Sequence, residues 1–432
     1  MTATALLRAD PGVTPATPTA APPIRFRGAV HTARKEFFEG TQRVRAPEET
    51  LAIIRPYFRR LGLTRLANIT GLDRIGIPTV LSVRPNSPNL SVDAGKGFTL
   101  AAAMVSAGME CIERYGVEAP SFPEFTGSWE EVSAEQVTIP FSALPLSKRA
   151  ILRPTWPLRW THAWDVAAQR DVAVPSLLVT MDSEATSKGH DNPFKTGSNG
   201  LSAGNNFLEA LNGGILELIE RDAVACQRHA WDVCARAIPR VRLDTITHPA
   251  VCDLLARFRH AGVAAVLFDC TVDTDVPVYM AYLFDERTRH IGIYRGYGAH
   301  LDPGIAMVRA LTEAVQARLI FIAGSRDDFY RHHYLRLRQS DHEDALARMR
   351  AIPETVDART RASAATPTFE GDVGVLLARL AAVGITQVLA VDLTPPGMDV
   401  SALRVAAPGL EGYMFDSYAP GARAKAFLRE VQ

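Results

Sequence analysis

SAGMECIERY (106–115) and NGGILELIERD (212–222) put the same short phrase, Glu-x-x-Glu-Arg, into one chain twice, each time among apolar and small residues. At 3.6 residues per turn, Ser106, Glu110, Glu113 and Arg114 fall on one side of a helix predicted over FTLAAAMVSAGMECIERYG (98–116). Glu209, Glu217, Glu220 and Arg221 likewise share one side of a helix predicted over NNFLEALNGGILELIERDAVA (205–225). The other side of each is small or apolar, with Ala101–Ala103 in the first and Gly213–Gly214 in the second, which suits close packing inside a protein. Ion pairs on a solvated helix face, at roughly 0–1 kcal/mol each, would account for either phrase by itself. Two such stripes bedded in apolar sequence point instead to carboxylates gathered in the interior. Gathered carboxylates raise one another's pKa unless a hard cation holds them ionised. Mg2+ suits them because it takes a few carboxylates together with water and phosphate oxygens. A third predicted helix, MVRALTEAVQAR (307–318), offers Glu313 and Gln316 at i, i+3 and Arg318 nearby, an acceptor, an amide and a guanidinium for a polar ligand.

The chain around these helices has 432 residues, 47% hydrophobic and 22% charged, enough for a large core in one large domain or two ordinary ones. Lys plus Arg and Asp plus Glu both total 47, so no net field steers the chain toward nucleic acid or an anionic membrane. Five scattered cysteines without a Cys-x-x-Cys pair favour a reducing cytoplasm without structural zinc or disulfides. No signal-type run opens the chain and no apolar segment of about 18 residues interrupts it, so a soluble cytoplasmic protein is expected.

Residues 1–23, rich in Ala, Thr and Pro, predict a disordered tail, too short and too polar to form a leader-peptide-binding module. From 24 to 432 no linker-like break appears, and a single domain is expected. Amphipathic stretches such as EETLAIIRPYFRRLG (48–62) alternate with strand-like runs at GIPTVLSVRP (76–85), VPSLLVTMD (174–182), VAAVLFDC (263–270) and PVYMAYLFD (277–285). DVGVLLARLAAVGITQVLAVDLT (372–394) reads as a helix, a stop at Gly384 and a strand. The fold class is therefore α+β.

Familiar site signatures fail. DAGKGF (93–98) lacks the leading Gly and trailing Ser or Thr of a phosphate-binding loop. GYGAHL (296–301) has Leu301 where a dinucleotide fingerprint needs its third glycine. GLSAG (200–204) matches a nucleophile elbow but follows TGSN rather than a strand. His332, His333 and His342 crowd an Arg-rich segment without metal-ligand spacing, and a solvated face is expected there.

Taken in order, SAGMECIER, SNGLSAGNNFLEALNGGILELIERDA and RALTEAVQAR resemble the ATP-binding signature of the YcaO family, and the likeness runs from GTQRVRAPEET (40–50) to VAAPGLEGY (405–413). The resemblance implies an α+β fold of layered sheets and helices, an ATP site in which acidic side chains hold Mg2+ across the phosphates, and a homodimer. Carried over by position, it implies Glu110, Glu113, Glu217 and Glu220 as Mg2+ ligands, with Glu209 close by in the same role. It implies Lys96, Arg114, Arg221 and Arg318 at the phosphates, and Ser106, Ser198, Asn199, Asn205, Glu313 and Gln316 around the rest of the pocket. Arg43 and Thr50 correspond to N-terminal ATP contacts.

The resemblance also implies a reaction. A nucleophile adds to a peptide-backbone carbonyl, ATP phosphorylates the oxygen, and phosphate leaves. A side-chain nucleophile gives an azoline, sulfide a thioamide, an amine an amidine. The ending SYAPGARAKAFLREVQ (417–432) lacks the proline-rich terminus of azoline-forming members. GTQR (40–43), GLTRLANITGLDRIGIP (62–78), IAGSRDD (322–328) and APGLEGY (407–413) are similar to the thioamide-forming branch that works with TfuA-like proteins. The implied partners are a peptide or protein substrate, a TfuA-like protein and a sulfide source. Azoline or amidine formation is the alternative reading, and a noncatalytic ATP-binding regulatory subunit of a peptide-modifying complex is a further one.

Overall fold

The computed structural model describes residues 23–118, 120, 122–148, 150–181, 193–194, 197–287, 292–339, 342–412 and 419–431. The expected tail, Pro23 apart, lies outside the described residues. Among the described residues, strands collect into four sheets. A hairpin joins Ile24–Phe26 to Ala29–His31, and a three-stranded antiparallel sheet runs Arg65–Asn68, Thr79–Val83, Val92–Lys96. A six-stranded sheet is ordered Phe125–Ser128, Pro157–Asp165, Leu389–Asp392, Ser401–Ala406, Leu201–Gly204, with Arg170–Pro175 also paired to Pro157–Asp165. The five-stranded sheet is ordered Ile293–Ala299, Val278–Asp285, Val263–Asp269, Arg240–Arg242, Glu354–Asp357, and only its last pair is parallel.

Three helices cover these sheets. Leu100–Glu118 packs on Val92–Lys96 and Leu201–Gly204, Phe207–Cys234 on Leu201–Gly204 and Ile293–Ala299, and Pro303–Ala323 on Ile293–Ala299 and Val92–Lys96. Each helix thus touches two of three strands and each strand two of three helices, which closes a ring of alternating helices and strands.

Glycine lets the ring close. A Cβ on Gly95 would lie 2.0 Å from the Ala107 nitrogen, and one on Gly298 would lie 2.1 Å from the Ala306 oxygen. The strands carrying these glycines therefore rest directly on helix backbone, where a methyl group has no room. The GYG of residues 296–298, read above as a failed nucleotide fingerprint, has this packing role.

The Phe207 helix is the spine of the molecule. Asn206 caps its start by accepting from the Glu209 N–H at 2.9 Å. Leu208, Leu211, Ile215 and Ile219, spaced 3, 4 and 4 apart, are all 0–1% exposed. Burying each contributes roughly 1.5–3 kcal/mol, which anchors one face of the helix and leaves the opposite face to carry charge. Most expected elements sit where the pattern put them. The run at 174–182 does not. Its strand ends at Pro175 and Ser176–Val179 turn helical, because an apolar run this short satisfies either geometry.

Candidate functional site

The ring encloses a cavity of about 560 Å³. Of the seventeen residues singled out from the sequence, all but Asn199 and Arg318 line it. Glu110 and Glu113 reach it from the Leu100 helix, Glu217, Glu220 and Arg221 from the Phe207 helix, and Glu313 and Gln316 from the Pro303 helix. The two repeated phrases therefore face one another across a single space.

The acidic side chains are held, with cations interleaved. Glu113 accepts from the Ala203 N–H at 2.5 Å. Arg221 pairs with Glu217 at 3.5 Å and Glu220 at 3.8 Å. Lys96, at the end of its strand, donates to Gln316 at 3.1 Å and lies 3.7 Å from Glu313, while the Gln316 amide donates to the Ala94 carbonyl at 2.6 Å. Arg114 bonds Asp93 in an ion pair and approaches Glu110 at 3.9 Å. Ser106 and Ser198 contribute to the wall.

Burial and crowding disfavour ionisation here. The Glu217 carboxyl is pushed up to about 7 by burial, against the pull of Arg221 and with the push of Glu220. Glu113 is driven well above the carboxylate range by burial, then by Glu110 and Glu217, and Glu220 is raised mainly by burial. Asp93, which the sequence reading passed over, is likewise raised to about 7 by burial and then Glu110. Its position beside Gly95-Lys96 was the available signal. A divalent cation would reverse this penalty by giving each ionised oxygen a partner.

Two residues are placed elsewhere. Arg318 is 1% exposed and gripped by Asp285 at 2.6 Å and Asp73 at 3.2 Å on the opposite side of its helix, so it braces the fold and does not face the cavity. Asn199 is outside the lining, and its carbonyl accepts from Arg404 at 2.9 Å. Glu209 differs from the other four acids expected to hold metal. Both of its oxygens accept from the Asn205 amide at 3.1 Å, Val44 N–H donates at 3.2 Å, and Arg43 pairs at 3.3 Å. Thr50 in turn donates to Asn205 at 2.7 Å. Glu209 and Asn205 thus tie the segment from Arg43 to Thr50 into the cavity wall. Sequence reading also missed Arg309 and His300, both in the lining. The Asp302 N–H donates to His300 Nδ1 at 2.9 Å, which puts the imidazole proton on Nε2.

Among the described residues, no three His, Cys, Asp or Glu side chains already converge as a ready-made metal cage. This donor set fits Mg2+, which uses one or two carboxylates with water and phosphate oxygens rather than an all-protein shell. Glu110, Glu113, Glu217 and Glu220, which line the cavity, are the residues that would hold it. A family model described as YcaO cyclodehydratase, ATP- and Mg2+-binding, matches residues 94–411.

The chain belongs to the YcaO family.

A relative from Rhizobium leguminosarum bv. trifolii, named for its place in a tfuA 3′ region, is 34% identical over 386 residues, 84% of this chain and 87% of that one. A protein of Methanothermobacter thermautotrophicus is 34% identical, over 88% of this chain and 98% of that one. Among solved structures, YcaO from Methanopyrus kandleri bound with AMPPCP and Mg2+ superposes with a TM-score of 0.69 at 24% identity, over 90% of this chain and all of that one. A heterocyclase in complex with substrate and cofactor gives 0.72 at 20% identity, over 93% of this chain and 56% of that longer one. These structures share the YcaO fold of mixed helices and sheets. Among the described residues no helix is long and apolar enough to cross a membrane.

Proposed function

We propose that this YcaO protein binds ATP with Mg2+ in the carboxylate-lined cavity and activates a peptide-backbone amide, with sulfide as the nucleophile and a thioamide as the product. The observation that carries the reading is the meeting of Glu110, Glu113, Glu217 and Glu220 with Lys96 and Arg221 in one cavity, where burial raises the Glu113, Glu217 and Glu220 carboxyls. Bound Mg2+ would neutralise phosphate charge there. Lys96, 3.7 Å from Glu313, and Arg221, 3.5 Å from Glu217, set two cations beside the carboxylates, within the cavity that would take the phosphates. Glu209, Asn205 and Thr50 tie the N-terminal segment into the cavity wall, which limits water access.

The chemistry balances without a redox step. Hydrosulfide adds to the carbonyl carbon, and the resulting oxygen takes the terminal phosphoryl group. The C–O bond then breaks as phosphate leaves with that oxygen, a proton is lost, and C=S remains beside ADP. Phosphorylation is needed because an amide oxygen alone is a poor leaving group. Sulfide is favoured as nucleophile by the relative named for its tfuA region. We accordingly assign a TfuA-like partner, a peptide or protein substrate, a homodimeric state and a reducing cytoplasmic setting, the last in keeping with five free cysteines.

The test is intact-mass measurement after incubation with ATP, Mg2+, sulfide and the peptide encoded nearby, with and without the TfuA-like partner. Thioamide formation adds about 16 Da per site, from exchange of oxygen for sulfur in a positioned reactant. A loss of about 18 Da would instead identify azoline or amidine formation by an internal nucleophile, a product the family description favours. Mg2+-dependent ATP binding with no mass change would support a regulatory subunit.

A further inference from the structure

The cations around the cavity differ in one respect. Arg43 is engaged by Glu209, Lys96 by Glu313 and Gln316, Arg114 by Asp93, and Arg221 by Glu217 and Glu220. Among the described residues the Arg309 guanidinium has neither a hydrogen bond nor an ion pair, and its Nε is buried without a partner. A donor withdrawn from water and left unsatisfied is uncommon in a folded chain and calls for a ligand.

Arg309 stands where a ligand would meet it. It lies four residues before Glu313 and seven before Gln316 on the Pro303 helix, on the stripe that lines the cavity. A Cβ on Gly298 would lie 2.7 Å from the Arg309 Cβ, so the adjoining strand crowds the root of this side chain. Glu217 and Glu220 from the Phe207 helix, and Arg43 and His300 from other segments, stand in the same cavity lining.

We propose that Arg309 is the cation that receives the terminal phosphates of the nucleoside triphosphate, an inference that rests on the ATP reading above. A guanidinium presents planar, paired donors that match phosphate oxygens, and Arg309 need not be released from a carboxylate before it binds. Arg43, Lys96, Arg114 and Arg221 each pair with a protein carboxylate first. His300, with its proton on Nε2, is a neutral donor in the same cavity lining.

The experiment is calorimetric titration of the full chain with Mg2+–ATP, and with AMP by competition, for the wild type, Arg309→Ala, Arg309→Lys and Glu220→Gln. Ligand-free thermal unfolding serves as the fold control. Loss of one charge-assisted phosphate contact predicts that Arg309→Ala weakens Mg2+–ATP roughly 10- to 100-fold and AMP less than about twofold, with partial recovery in Arg309→Lys. An ATP affinity within about twofold of wild type, or equal loss for ATP and AMP, overturns the role of Arg309. If Glu220→Gln abolishes binding in that same series, the ATP reading stands without Arg309. Failure of the wild type to bind Mg2+–ATP overturns that reading and this inference together.

Discussion

Replacing Glu217 by Gln should make the ligand-free protein more stable while removing its function. Glu217 keeps only 21% of its side chain exposed, and its carboxyl is raised from 4.5 to about 7 by burial. A carboxyl whose folded value is raised holds a proton that the unfolded chain releases, so stability falls as pH rises from about 4.5 through about 7. From these values the ionised group costs the fold about 3 kcal/mol at pH 8 and about 1 kcal/mol at pH 5. Gln removes the cost and leaves Arg221 paired with Glu220 at 3.8 Å. With roughly 2.1 cal/mol/K of unfolding entropy per residue over 432 residues, the gain at pH 8 corresponds to an unfolding midpoint about 3 °C higher, shrinking to about 1 °C at pH 5. Differential scanning calorimetry without nucleotide, at both pH values, measures it. The same variant should show no further rise on adding Mg2+ and ATP. A midpoint lowered at pH 8, or a shift independent of pH, would refute the view that these carboxylates are held against their own repulsion for a cation.

Mg2+ added alone at pH 6.5 should release protons, since Asp93 and Glu217, raised to about 7, ionise against the cation, and titration in buffers of different ionisation heat will show it as a buffer-dependent enthalpy. Arg318→Ala should destabilise the fold by about 3–5 kcal/mol, because Asp73 and Asp285 lose a buried cation, yet the folded fraction should bind Mg2+–ATP as wild type does. Denaturant unfolding and calorimetry separate the two effects. Gly95→Ala should leave little folded protein, because its methyl would lie 2.0 Å from the Ala107 nitrogen. Circular dichroism against Gly374→Ala, where nothing lies within 4 Å of the added methyl, is the check.

Helical periodicity made most of the site legible. Ser106, Glu110 and Glu113 follow i, i+4, i+7, and the structure brings them to the cavity. Arg309, Glu313 and Gln316 obey the same spacing, whereas Arg318 falls nine residues past Arg309 and half a turn away at 100° per residue. The rule that found the first stripe would have chosen Arg309 and set Arg318 aside; nearness in sequence and the family likeness both pointed to Arg318 instead. Glu209 was visible as part of a stripe, but its capture by Arg43 and Val44 depends on a contact across more than 160 positions, which no local pattern encodes. Asp93 sits in a strand, where period-two alternation marks it only as polar. The glycines at 95, 296 and 298 carried their meaning in the helix pressed against each, so sequence alone could not separate them from nucleotide-loop glycines.

The most direct test of the account is titration of the wild-type chain with ATP, first with Mg2+ and then with EDTA, alongside Glu113→Gln and Glu220→Gln. The account predicts saturable binding that requires Mg2+ and is lost in both variants. ATP binding that persists in EDTA, or that survives either substitution unchanged, would contradict it.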